Sequence, residues 1–93
     1  MCRNIRTLFN FDPPATDAEI RDASLQFVRK ISGFHQSSKA NERSFRAAVD
    51  EIAQVSTSLL RSLETNAQPR TREQEIAKAK ARSHARFTAR LSA

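Results

Sequence analysis

Residues 45–63, FRAAVDEIAQVSTSLLRSL, decide the fold, because their apolar side chains recur every three or four positions over about five turns. This spacing places them on one face of an amphipathic helix, predicted over about 39–64 with Ser38 or Asn41 as its N-cap. Helix propensity alone does not hold such a helix in water, so its apolar face must pack against a second helix. The apolar positions are Phe45, Ala48, Val49, Ile52, Val55, Leu59, Leu60 and Leu63.

The segment before it supplies that second helix, predicted over about 17–32. Thr16 and Glu19 have the spacing of a capping box, in which the threonine hydroxyl and the glutamate each bond a free backbone group. Gly33 can end the helix in the left-handed conformation. The two helices are therefore expected to form an antiparallel hairpin.

A short N-terminal helix is also predicted, because Ile5, Leu8 and Phe9 have the i, i+3, i+4 spacing of a helical face. Asp12-Pro13-Pro14 ends it, since a residue before proline is pushed out of the helical region.

The last predicted helix, about 72–91, begins at a second capping box formed by Thr71 and Gln74. Its only large apolar residues are Ile76, Phe87 and Leu91, so we expect it to be loosely anchored. The sequence thus predicts an all-α fold in a single domain, with a helical core over residues 1–69 and a basic C-terminal helix over 70–93.

Positive charge is concentrated in that last helix. Residues 1–69 contain nine bases and eight acids, whereas residues 70–93 contain seven bases and two acids. Basic side chains recur every four residues and could follow a phosphate backbone or an acidic protein surface. The simpler interpretation is a solvated basic surface. The candidate partner-binding residues are Lys78, Lys80, Arg82, Arg86 and Arg90.

Two other side chains are candidates for chemistry. Removal of Met1 would leave Cys2 at the N-terminus, where Arg3 and Arg6 would favour its thiolate. A small thiol-dependent protein is therefore an alternative function, although a lone terminal cysteine is usually inert. His35, in the loop between the hairpin helices, is a weak candidate for a general base, and a solvated loop histidine is the simpler interpretation.

Several classes of function are not indicated. The two histidines and one cysteine lack the spacing of a zinc site, and no catalytic triad, paired-carboxylate site or glycine-rich phosphate loop is recognisable. We therefore expect no metal and no cofactor, and a non-enzymatic protein is favoured. No apolar run is long enough to span a membrane, so a cytoplasmic location is expected. Because the predicted core is thin, a homo-oligomer is a further alternative.

Several segments carry a resemblance to a known family: residues 1–9 (MCRNIRTLF), 12–16 (DPPAT), 28–34 (VRKISGF), 38–42 (SKANE) and 69–73 (PRTRE). With them, almost the whole chain resembles a bacterial family catalogued as domain of unknown function 2277, a resemblance that implies no activity. Residues 5–63 also bear a weaker resemblance to the helical hairpin of J-domain co-chaperones. The His-Pro-Asp loop of J-domains is missing, because Gln36 follows His35. That likeness implies a degenerate chaperone-interaction module.

The leading hypothesis from the sequence is a non-enzymatic binding or adaptor module. Its helical core would present the basic C-terminal helix to an acidic partner, either a protein or a nucleic acid.

Overall fold

The computed structural model describes the backbone of residues 5–92 and the side chains of residues 5–88. Its helices are α1 (Asp17–Ser32), α2 (Glu42–Ser62) and α3 (Arg72–Ser92), with a 3-10 turn at Lys39–Asn41 before α2. The predicted all-α fold is confirmed, and α1 packs against α2 as the predicted hairpin.

Local signals determine both ends of α1. At its start the Glu19 amide donates to Thr16 Oγ1 (3.1 Å), and the Thr16 amide donates to Glu19 Oε1 (2.9 Å), so the predicted capping box is present. At its end Gly33 has φ 77°, and its N–H donates to the Arg29 carbonyl at 3.0 Å. The left-handed conformation predicted for this glycine is confirmed.

The start of α2 differs from the prediction. Asn41 stands at the N-cap position, but neither its side chain nor that of Ser38 makes a capping hydrogen bond. The 3-10 turn carries the chain into the helix instead, with the Asn41 amide donating to the Ser38 carbonyl at 3.1 Å. Such i→i+3 bonds satisfy backbone groups that a side-chain cap would otherwise bond.

The core of the hairpin is small. Its buried apolar residues are Ile20 and Val28 from α1 and Val49 from α2, each 4–5% exposed. Buried Ser24 satisfies its hydroxyl by donating to the Ile20 carbonyl at 2.8 Å. The apolar face of α2 is only partly covered, because α1 is the one helix packed against it in the described part of the chain, and Val55 remains 69% exposed.

The predicted N-terminal helix is wrong for the described residues 5–16, which contain bends and an isolated β-bridge. Asn10 has φ 62°, a left-handed value that asparagine tolerates better than most residues. The segment bonds the chain before α3: the Arg70 amide donates to the Asn10 carbonyl (2.7 Å), and the Asp12 amide donates to the Arg70 carbonyl (3.0 Å). These long-range bonds replace the i→i−4 bonds of a helix. The apolar side chains of Leu8 and Phe9 are half-buried although this segment is not helical.

Helix α3 packs against neither of the other helices within the described residues. It starts at the predicted second capping box, where the Gln74 amide donates to Thr71 Oγ1 (3.1 Å) and the Thr71 amide donates to Gln74 Oε1 (3.3 Å). The radius of gyration is 16.7 Å, against about 12 Å expected for a compact domain of this length. The molecule is therefore a hairpin with one helix extending from it.

Candidate functional site

The first turn of α3 is tied to the first turn of α1 by Arg72. Its Nη2 donates to Glu19 Oε1 at 2.7 Å, and its Nε donates to Glu19 Oε2 at 3.2 Å. The same guanidinium donates to the carbonyls of Pro13 (2.7 Å) and Pro14 (3.2 Å). It also lies over the Phe11 ring, 5.4 Å from the centroid, at a distance suited to a cation–π contact. One side chain thus joins α3, α1 and the N-terminal segment.

Glu19 is the acceptor on which this junction converges. Besides Arg72 and its own capping bonds with Thr16, it accepts from Arg6 Nη2 at 3.2 Å. Hydrogen bonding from Arg72, and then from the Thr16 amide, lowers the pKa of Glu19 from 4.5 to about 2. The same contact raises the pKa of Arg72. The carboxylate therefore stays ionised, and the start of α3 is fixed in position.

Beyond this anchored first turn, α3 packs against no other helix in the described part of the chain. Every side chain from Ile76 to Thr88 is exposed. The Lys78 ammonium lies 3.6 Å from the carboxylate of Glu75. Glu75 is the last acidic residue of the sequence, so no acid follows in the part of α3 that carries Lys80, Arg82 and Arg86. The side chain of Arg90 lies outside the described residues. The structure thus places the described members of the predicted basic set on one unpacked helix.

The helix also has an apolar side. Ile76 and Phe87 are 56% and 58% exposed and lie eleven residues apart, which is about three turns and puts them on the same face. Lys78 and Arg82, two and six residues after Ile76, lie on the other side of the helix, while Lys80 borders the apolar face. Helix α3 is therefore amphipathic, and neither α1 nor α2 covers its apolar face.

Of the other two candidate residues, the structure describes His35. Cys2 lies outside the described residues. His35 lies in the connection between α1 and α2, as predicted, exposed at a cleft of about 410 Å³. Within the described part of the chain, no group of three or more His, Cys, Asp or Glu side chains could hold a metal ion.

Sequence reasoning missed two features of the surface. One is an open groove of about 480 Å³ between the N-terminal segment and the hairpin, whose lining includes Leu8, Phe9 and Leu60. The other is the set of cations around the cleft at His35, which come from both hairpin helices. Neither has a sequence signature, because the lining residues come from segments distant in sequence that only the tertiary packing brings together.

Comparison with known proteins identifies one matching family. A family model described as an uncharacterized conserved protein (DUF2277) matches residues 1–78. No curated protein and no solved structure matches, so the J-domain likeness has no support from them. The matched range contains the hairpin and the anchored start of α3 and ends at Lys78, before Lys80, Arg82 and Arg86. In addition, no helix among the described residues has the length and apolar character needed to cross a membrane.

Proposed function

The chain belongs to the DUF2277 family, and from that premise we propose that it is a non-enzymatic binding module. In this proposal the α1–α2 hairpin is the body, and α3 is the surface offered to an acidic partner.

The observation that carries the proposal is the combination of an anchored start and an exposed remainder in α3. Arg72 fixes the first turn through Glu19 and two backbone carbonyls. After it, the exposed residues from Ile76 to Thr88 contribute nothing to the hairpin core. A helix held in this way is accessible along its length, and its positive charge would attract an acidic surface over a distance of about 10 Å at moderate salt.

The apolar face favours a protein over a nucleic acid as that partner. A phosphate backbone would engage Arg82 and Arg86 and leave Ile76 and Phe87 in water. A groove with an apolar floor and an acidic rim would engage both sides, which is how amphipathic helices dock into their receptors. We therefore propose a partner protein with such a groove.

Capture with full-length variants tests the proposal. One variant removes charge from α3 (Lys80→Gln, Arg82→Gln and Arg86→Gln), and a second removes its apolar side chains (Ile76→Ser and Phe87→Ser). A control removes three exposed charges from the hairpin instead (Lys30→Gln, Arg43→Gln and Arg61→Gln). Nuclease-treated cell extract is passed over each protein at about 50 mM salt, where charge contacts are strong, and captured proteins are purified and tested for direct rebinding.

The proposal expects a protein that rebinds wild type and control, binds neither α3 variant, and is released as salt rises. If the apolar variant binds the captured protein as well as wild type does, the partner does not use an apolar groove. If a DNA duplex binds wild type and apolar variant equally and no protein rebinds, the partner is a phosphate backbone and this proposal is wrong.

A further inference from the structure

A cleft on the hairpin, with no described lining residue from α3, is lined by positively charged side chains. It has a volume of about 410 Å³ and lies where α1, the following connection and the start of α2 meet. Helix α1 contributes Arg21 and Arg29, the connection contributes His35 and Lys39, and α2 contributes Arg46. Its volume falls in the range of roughly 300–1,000 Å³ typical of small-molecule sites.

Acidic side chains balance only part of this charge. Arg46 pairs with Glu42 at 3.3 Å, and Arg21 pairs with Asp50 at 2.7 Å. Glu42 is the one acid that lines the cleft, and Asp50 reaches it only through Arg21. Two carboxylates therefore face four permanently charged side chains, and the remaining charge is carried by Arg29 and Lys39.

Arg29 has a polar atom without a bonding partner. Its Nε is shut off from solvent and makes no hydrogen bond within the described structure. Leaving a desolvated donor of a charged group unpaired is costly, and such groups in folded proteins normally have a partner. Because that Nε is closed to solvent, a ligand entering the open cleft would bond the outer Nη groups of the same guanidinium, and its negative charge would offset the cost.

We propose that this cleft binds a phosphate group, free or carried by a small organic molecule, with Arg29 as its central donor and Lys39 and Arg46 beside it. Guanidinium groups match phosphate oxygens geometrically and make strong charge-assisted bonds with them. A dianionic phosphate balances the two uncompensated cations, whereas a simple carboxylate balances one. All the lining residues lie within the range that matches the family model.

NMR titration of the full-length chain tests the proposal. Inorganic phosphate, glucose 6-phosphate and acetate are added separately at constant ionic strength, and the backbone amides of residues 35–46 and the side-chain Nε–H of Arg29 are followed. The variants are Arg29→Gln and the exposed Lys39→Gln. Arg61→Gln near the end of α2 is the control, because it removes one exposed positive charge that does not line the cleft.

The expected result is saturable shifts with at least one phosphate compound and none with acetate. Each cleft variant should weaken binding about tenfold, the effect of losing one charge-assisted hydrogen bond, while Arg61→Gln binds as wild type. The tighter of the two phosphate compounds identifies the source of the group. Shifts that do not saturate, that acetate reproduces, or that both cleft variants retain would overturn the proposal. Should Arg29→Gln fail to fold, Lys39→Gln still decides, because its side chain is exposed and contributes no core packing.

Discussion

Arg72 and Glu19, 53 positions apart in sequence, form a two-point ion pair in which Nη2 meets Oε1 at 2.7 Å and Nε meets Oε2 at 3.2 Å. The pair is largely shielded, with the two side chains 30% and 20% exposed. Because Glu19 also completes the capping box of α1, one carboxylate both starts the first helix and holds the last one. Several consequences of this arrangement can be measured.

Replacement of Arg72 by alanine should loosen α3 from the hairpin. The change removes four hydrogen bonds and the contact with the Phe11 ring. We expect the free energy of unfolding to fall by about 1–3 kcal/mol, as for other charge-assisted bonds, and amide exchange in the first turn of α3 to accelerate. Urea unfolding and hydrogen exchange measure the two effects.

The matched control is Arg86→Ala, which removes an exposed arginine from the same helix. Its effect on stability should stay within about 0.5 kcal/mol. Equal losses in the two variants would show that the Glu19 contact does not anchor α3.

Acid should weaken the same junction. The pKa of Glu19 is lowered to about 2 in the folded chain from an ordinary value of 4.5, so the folded state favours the ionised form more than the unfolded state does. The stabilisation is therefore complete above about pH 4.5 and is lost as the pH falls towards 2. Urea unfolding of wild type and Glu19→Gln, measured from neutral pH down to about pH 2, should give stabilities that differ most near neutrality and converge in acid. A constant difference would contradict the pKa.

The parts of the fold that could be predicted from sequence depend on neighbours along the chain. The Thr16–Glu19 and Thr71–Gln74 boxes each act over three residues, and Gly33 needs only its own backbone freedom. Apolar periodicity likewise located both helices of the hairpin. Such signals hold regardless of how the rest of the chain folds.

The errors and omissions arise where distant segments meet. Ile5, Leu8 and Phe9 have helical spacing, but the backbone that follows bonds Arg70 instead, sixty positions from Asn10. Arg29 and Arg46 share a cleft only because α1 and α2 are antiparallel. No local pattern distinguishes these residues from other surface positions, so neither the N-terminal arrangement nor the cationic cleft could be predicted.

Two valines on α2 should differ sharply in their importance. Val49 is 4% exposed in the hairpin core, whereas Val55 is 69% exposed on the same helix. Val49→Ala should cost roughly 1.5–3 kcal/mol, through lost burial and the cavity left behind. Val55→Ala should stay within about 0.5 kcal/mol. Urea unfolding of both variants tests this, and similar costs would mean that another surface covers Val55 in solution.

Gly33 should resist substitution for a backbone reason alone. Its φ of 77° is unfavourable for residues with a Cβ, yet an added Cβ would meet no atom within 4 Å. Gly33→Ala should therefore destabilise the chain by about 1–2 kcal/mol, and Gly33→Asn by less, because asparagine adopts this conformation more readily. Thermal unfolding would rank the three proteins. An alanine variant as stable as wild type would show that α1 does not end in this conformation.

Two truncations should separate the anchor of α3 from the rest of the helix. A chain ended after Lys78 keeps Arg70 and Arg72, with their bonds to the N-terminal segment and Glu19. It loses residues 79–93, of which 79–88 are exposed throughout. Its free energy of unfolding should stay within about 0.5 kcal/mol of wild type, while its helical circular dichroism decreases. A chain ended after Gln68 also loses both arginines, so its hairpin should be less stable by about 1–3 kcal/mol. If ending after Lys78 is as damaging as ending after Gln68, the distal helix packs on the body, and the exposed surface proposed for partner binding does not exist in solution.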